Sequence, residues 1–570
     1  MLGQRQIHQR YGRGVIAFRN EKQVAGLAID IGLKEEYFGA DPGIELTVTG
    51  LPDGLGFDGR RITGVADRAG EYLVTVAATD QKRLTRISTF SLSVAAPAEA
   101  EVFVPGVYYP AEYFAGSCAS PRQDAAYSDV QGTAVDEKNW IRSWSLETYL
   151  WYDELAKEDM NPANSLSVPS YFDSMKVWWD RFHFQQETET YRRSSEQGES
   201  LGYGATFAVL RSYPPREVVV AYTEPGTPAT GPAVNLRRGT QILAVDGKDL
   251  VEGNDIDVFN EGLFPTISGR THTFKVQDPG SSTTRTVQMT AGIVESTPVQ
   301  NVSAIDTEDG KVGYFLFNDH IATAESQMVS AIRELDAAGI EDLVLDLRYN
   351  SGGYVYLAAQ LAYMIAGPDR TEDKTFELLQ FNDKHPVVNP VTRQVIRPIP
   401  FFDETLGYSL SPGQQLPSLD LNRVFVLTGE GTCSASESII NGLLGVDVEV
   451  IQIGETTCGK PLGFYPADNC GTTYFTVQFK GVNDKGFGDY ENGFSPSNRD
   501  HYPRGCRATD TDFDHLLGDP EEKLLATALA HRASGSCSGR FAKPAPLKEG
   551  EVRNPAVLKP RWLSNRIISP

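Results

Sequence analysis

The 570-residue sequence has no apolar run approaching the ~20 residues that a membrane-spanning helix needs. Its opening, MLGQRQIHQRYGRGVIAFRN, is basic but holds only the short apolar run Val15 to Phe18, so no secretory signal is legible there. Positive charge is scarce. Lys and Arg number 52 against 75 Asp and Glu, a net charge of −23, which opposes nucleic acid or an anionic membrane surface as partner and leaves proteins and peptides. Cysteine is scarce too: the six, at 118, 433, 458, 470, 506 and 537, include no CxxC pair. That argues against a zinc site, and neither a metal nor any other cofactor is expected. Their even number fits three disulfides made in an oxidising, extracytoplasmic compartment, with buried free thiols as the alternative. No GxSxG elbow occurs, so the strand-end His320 in FNDHI is a weak candidate for a Ser/His hydrolase.

What is present divides the chain. The length exceeds one hydrophobic core and predicts about three domains. After a basic segment, 1–21, residues 22–97 alternate as half-buried strands do, with Tyr72, Val74 and Val76 on one face of GEYLVTVAATD and Phe90, Leu92 and Val94 on one face of STFSLSV. The turn signals DPG, LPDG and FDG separate the runs, which predicts a small β-sandwich. The stretch GLPDGLGFDGRRITGVADRAGEYLVTVAATD resembles the immunoglobulin-like domains of bacterial surface and secreted proteins. A linker, 98–135, leads to a helical cap segment at 136–200. There Trp140, Trp144, Trp151 and Leu155 recur at helical spacing, and YFDSMKVWWDRF predicts a second aromatic helix, both stripes reading as packing.

Residues 201–292 open with LGYGATF, continue through REVVVAY and reach GTQILAVDG, an order that resembles a PDZ domain. Backbone N–H groups at Gly202, Tyr203 and Gly204 could hold a peptide carboxylate while the adjoining strand edge pairs with an extended chain. From 300 to 540, strand and helix patterns alternate and predict a layered α/β domain, with a tail at 541–570. Chemistry is expected in its loops. DLRYNSGGYVY (346–356) leaves a buried strand through small residues, GEGTCSASESIINGLL (429–444) crowds Ser434, Ser436 and Ser438 into one helix start, and GETTCGKPLGF (454–464) carries Lys460.

These pieces, in this order, resemble the C-terminal processing, or tail-specific, serine proteases, which join a PDZ domain to a crotonase-like α/β core. The family's DLRxNxGG stands here as DLRYNSGG, its SASE as Ser434 to Glu437 and its GK as Gly459 and Lys460. The resemblance covers roughly 136–540 and implies Ser434 as nucleophile and Lys460 as general base of a serine endopeptidase acting on protein tails. It also implies an oxyanion hole from the N–H groups of Ala435 with Gly352 or Gly353. A lysine serves as a base only after losing its proton, which burial can bring about. Many members orient that lysine with a glutamine four residues on, where this chain has Phe464. Cys506 with Cys537, Cys458 with Cys470 and Cys118 with Cys433 are the expected bridges. A peptide-binding protein without catalysis, or a crotonase-type enzyme acting on a thioester, are the competing readings.

Overall fold

The computed structural model describes residues 21–24, 28–32, 45–66, 68, 70–79, 85–95, 103, 105–106, 108–157, 159–497, 499–537, 551–558 and 566–568. The basic segment expected at 1–21, apart from Glu21, lies outside them, as do residues 98–102 at the start of the expected linker. Two compact units form, residues 1–181 with 381–396 and residues 182–380 with 397–570. The cap segment predicted at 136–200 is therefore divided between them.

In the first unit, Gly70–Thr79 pairs antiparallel with Thr85–Ala95 and with Glu45–Thr49, while Arg61–Val65 lies between Ala28–Gly32 and Leu55–Phe57 in a second sheet. Alternation decides which face is buried. Tyr72 stands opposite Leu92 and Val74 opposite Phe90, and Val74, Val76, Phe90, Leu92 and Val94 share one core with Ile62. Helix Ala134–Thr148 begins at a Thr133/Asp136 capping box and stacks Trp140 on Trp144. The second aromatic helix, Val168–Ser174, is shorter than its sequence predicts. Buried Tyr149 accepts the Val177 N–H on its hydroxyl and donates that hydroxyl to Asp180, which draws the chain out of the helix. Trp178 consequently stands 90% exposed, its ring edge-on to Trp179 and outside the core.

The second unit holds two large sheets. In one, the strands run Thr284–Thr290, Thr271–Gln277, Gln241–Val245, Glu217–Thr223, Ala205–Arg211 and Glu551–Leu558 across the sheet. Tyr203, Phe207, Val220, Ile242, Phe274 and Val276 lie in its core. Its Asp246-Gly247 turn has positive φ at both residues, the hairpin geometry that Asp-Gly favours. In the other sheet, Val299–Thr307 pairs antiparallel with Gly310–Phe317, and Asp342–Asp346, Arg423–Thr428, Glu449–Gly454 and Arg504–Arg507 follow in parallel. Parallel neighbours need crossovers, which helices Ala324–Ala338, Val355–Ala366 and Ala435–Gly445 supply. Helix Lys523–Ser534 packs Leu524, Leu525 and Ala528 on Val344, Phe425 and Ile451. Three adjacent parallel strands end at Asp346, Thr428 and Gly454, so the loops that follow them gather at one edge of the sheet.

Candidate active site

Ser434 lies where the second of these loops enters helix Ala435–Gly445, with φ 62° and ψ −120°. An L-residue at positive φ is strained, and the loop holds it there by its anchors. Thr432 donates its hydroxyl to the Leu347 carbonyl at 2.8 Å, and the Cys433 N–H donates to the Asn350 carbonyl at 3.1 Å. The other two serines serve the framework. Ser436 donates to the Asn350 carbonyl at 3.1 Å, and Ser438 to Glu377, whose carboxyl burial pushes up to about 7. Three hydroxyls crowd the helix start because two tie it to its neighbours.

Glu437, the last residue of SASE, is fully buried and collects four donors. Its Oε2 accepts the N–H of Ser434 at 2.9 Å and of Lys460 at 2.8 Å, while Oε1 accepts the Gly459 N–H at 2.8 Å and the Thr457 hydroxyl. One carboxylate oxygen thus draws the Ser434 and Lys460 backbones together. Burial raises the Glu437 pKa, with the donors working against it. Sequence reasoning assigned this residue no role, although its place three residues into the helix was a capping signal. Lys460 itself is fully buried, with Nζ 4.4 Å from the Phe464 ring centre and 5.0 Å from that of Phe182. Phe464 is edge-on to Phe475 and Phe184, so an aromatic wall stands where a glutamine was expected. Gly459, at φ 79°, must be glycine, since a Cβ there would meet the Glu491 carbonyl at 2.2 Å.

The first loop completes the arrangement. Asn350 Oδ1 accepts the Gly352 N–H at 2.9 Å, so that donor is already engaged, and Gly353 is the better placed of the pair to serve a ligand. Gly353 adopts φ 144° and presses on the His320 carbonyl, where a Cβ would sit 2.3 Å from the oxygen. His320 is a framework residue. Its Nδ1 lies 3.0 Å from Asn350 Oδ1, its N–H and carbonyl bond Gly352 and Tyr354, and burial brings its imidazole down to about 3. Arg348 also faces inward, bonded to Asp346, Asp510 and Glu522, and Asp510 in turn receives Arg238 and Tyr349. The charged residues of DLRYNSGG therefore hold the loop in place.

Residues 311–468, which contain all three loops, match the model of peptidase family S41. Residues 27–95 match an Ig-domain model. The carboxyl-terminal-processing protease of Picosynechococcus sp. is 31% identical over 283 residues, covering 48% of this chain and 58% of that protein. Carboxyl-terminal-processing peptidase 3, chloroplastic, of Arabidopsis thaliana is 26% identical over 254 residues, 43% of this chain and 42% of that one. The chain spans about half the length of the curated relatives it matches. A crystal structure from Bacteroides fragilis, of a protein assigned to the S41 proteases, covers 73% of this chain and 100% of its own at 22% identity and a TM-score of 0.53, so the two share a fold.

A disulfide braces the matched region, though not the one expected. Cys458 bonds Cys433, not Cys470, and Cys433 is therefore unavailable to Cys118. The Cys458 N–H donates to the Thr432 carbonyl at 3.0 Å, which already sets the two loops side by side and selects this partner. Cys506 and Cys537 are bonded as expected, and no cysteine among the described residues is free. Changing both Cys433 and Cys458 to serine should lower unfolding stability by about 2–4 kcal/mol in a denaturant titration. An unchanged midpoint would mean that the hydrogen bonds alone hold the loops.

Outside the matched residues, Gly202 closes strand Glu199–Gly202 opposite Gly292, and Gly204 turns at φ 79°. Tyr203 is a core side chain, its hydroxyl donating to the Gly262 carbonyl at 3.0 Å. Its carbonyl accepts the Ala229 N–H at 2.9 Å.

Proposed function

We propose that this protein is a serine endopeptidase of the C-terminal processing type, with Ser434 as nucleophile and Lys460 as general base. The observation that carries this reading is the single Glu437 oxygen that accepts both the Ser434 and the Lys460 N–H, with the lysine fully buried beside it. In its neutral form Lys460 takes the Ser434 proton as Oγ attacks a peptide carbonyl. The oxyanion is met by the N–H groups of Ala435, at the helix start, and Gly353. Lysine then gives the proton to the departing amine, and water, deprotonated by the same lysine, hydrolyses the ester. No step needs a cofactor.

Residues 201–292 act as a PDZ-like domain joined to a crotonase-like core, and protein tails are the substrates. The relatives' names and the strand-and-loop order at Gly202 to Arg211 support this, and the disulfides fit an extracytoplasmic home. The test is one peptide made twice, with a free carboxylate and with an amide, followed by mass spectrometry. The free acid should be cleaved at least several-fold faster, and Ser434→Ala should cleave neither. Equal rates would leave the PDZ-like domain without a part in recognition.

A further inference from the structure

Two strands near the end of the chain pair with this machinery. Glu551–Leu558 adds antiparallel to Ala205–Arg211, with Leu558 opposite Phe207, Val557 opposite Ala208, Ala556 opposite Val209 and Glu551 opposite Arg211. The register slips between Val209 and Arg211, across the stretch in which Pro555 offers no N–H. This strand runs toward the Gly202 to Gly204 loop along the edge that a peptide would use. Arg566–Ile568 then pairs in parallel with Gly352–Tyr354, placing Ile567 opposite Gly353. The Tyr354 N–H and the Gly352 carbonyl are already bonded to His320. Backbone groups alternate between the two sides of a strand, so the Gly353 N–H points toward Arg566–Ile568.

We infer that Glu551–Leu558 and Arg566–Ile568 are a built-in strand ligand that covers both the peptide-holding edge and the Gly353 donor, so that an incoming protein tail must displace them. The inference rests on the peptidase reading for its consequence, though not for the pairing. Attachment in the same chain gives the strands an effective concentration that can reach the millimolar range, against which a substrate at ordinary concentration competes. The strand edge that would bind a substrate is also one that would pair with other chains if bare, and its own tail blunts it.

The test compares the full chain with one ending at Gly550 and with the full-length double variant Ala556→Pro, Val557→Pro. Adjacent residues of a strand send their N–H groups to opposite sides, so one of the two prolines must remove a bond to Ala205–Arg211. Both altered proteins should cleave a peptide with KM lowered about 10-fold and kcat unchanged, since a competitor has been removed. In parallel, a labelled synthetic peptide of residues 551–570 is titrated into Ser434→Ala forms of the full and shortened chains. It should bind the shortened form and not the full one. If the full chain cleaves peptides, yet KM is the same in all three proteins and the labelled peptide binds neither form, the tail ligand is refuted and the peptidase reading stands. If no form cleaves but the labelled peptide binds only the shortened one, the peptidase reading falls and the tail ligand stands. Should the shortened chain fail to fold by circular dichroism, the proline variant decides the matter through the same KM comparison and through labelled-peptide binding to its Ser434→Ala form.

Discussion

Replacing Ser434 with alanine is expected to lower kcat/KM for peptide cleavage by roughly 10,000-fold or more, and Lys460→Ala should do the same. The double variant should be no worse than either single one, because nucleophile and base act as one unit and the loss of either already removes the attack. Lys460→Arg is the sharper comparison. A guanidinium keeps the charge and can still lie against the Phe464 and Phe182 rings that flank Lys460 Nζ, but it cannot give up its proton at working pH. It should be as inactive as alanine, with the folded state verified by thermal melting. Near-full activity in that variant would mean that lysine is not the base. His320 would be a poor replacement, since its ring is committed to Asn350 and its backbone to Gly352 and Tyr354.

Glu437→Gln should have the next largest effect. All four groups around the carboxylate are donors, and three of them are backbone N–H groups that cannot turn to accept. A glutamine amide must set its NH2 against one side, leaving at least one buried N–H unsatisfied, at a cost of about 1–3 kcal/mol for each such group. The larger consequence is positional. Whichever side the NH2 takes, an N–H of Ser434, of Lys460 or of the adjoining Gly459 loses its acceptor and the two loops must shift, and a displacement of about 1 Å between reacting groups can cost about 100-fold in rate. The expected result is kcat lowered about 100-fold with KM little changed, since Glu437 touches no substrate in the proposed mechanism. A rise in KM at constant kcat would instead assign Glu437 to substrate binding.

The order of strands and helices from Gly310 to Gly454 was legible because period and burial agree there. Asp342–Asp346 and Arg423–Thr428 are short apolar runs that become central parallel strands, and the small residues after them have to form the loops. The alternating faces at Val74 and Phe90 were legible for the same reason. Where the reading failed, the competing force was long-range. Nothing near Trp178 in the sequence announces that the Tyr149 hydroxyl will take the Val177 N–H and end the helix early.

The strands and helices from Gly310 to Gly454, and the three loops between them, follow from residue type and spacing, which act locally on strand, turn and helix start. Which groups at the site remain for chemistry depends instead on contacts between distant parts of the chain. Cys433 takes Cys458 because the two loops run side by side, Gly352 spends its N–H on Asn350, and Glu437 gathers Ser434 and, from 23 residues further along the chain than itself, Lys460. The pairing of the last strands with Ala205–Arg211 and Gly352–Tyr354 was likewise invisible in the sequence. Each is a choice among many partners of the same chemical type, and only the fold brings one of them within hydrogen-bonding or bonding distance.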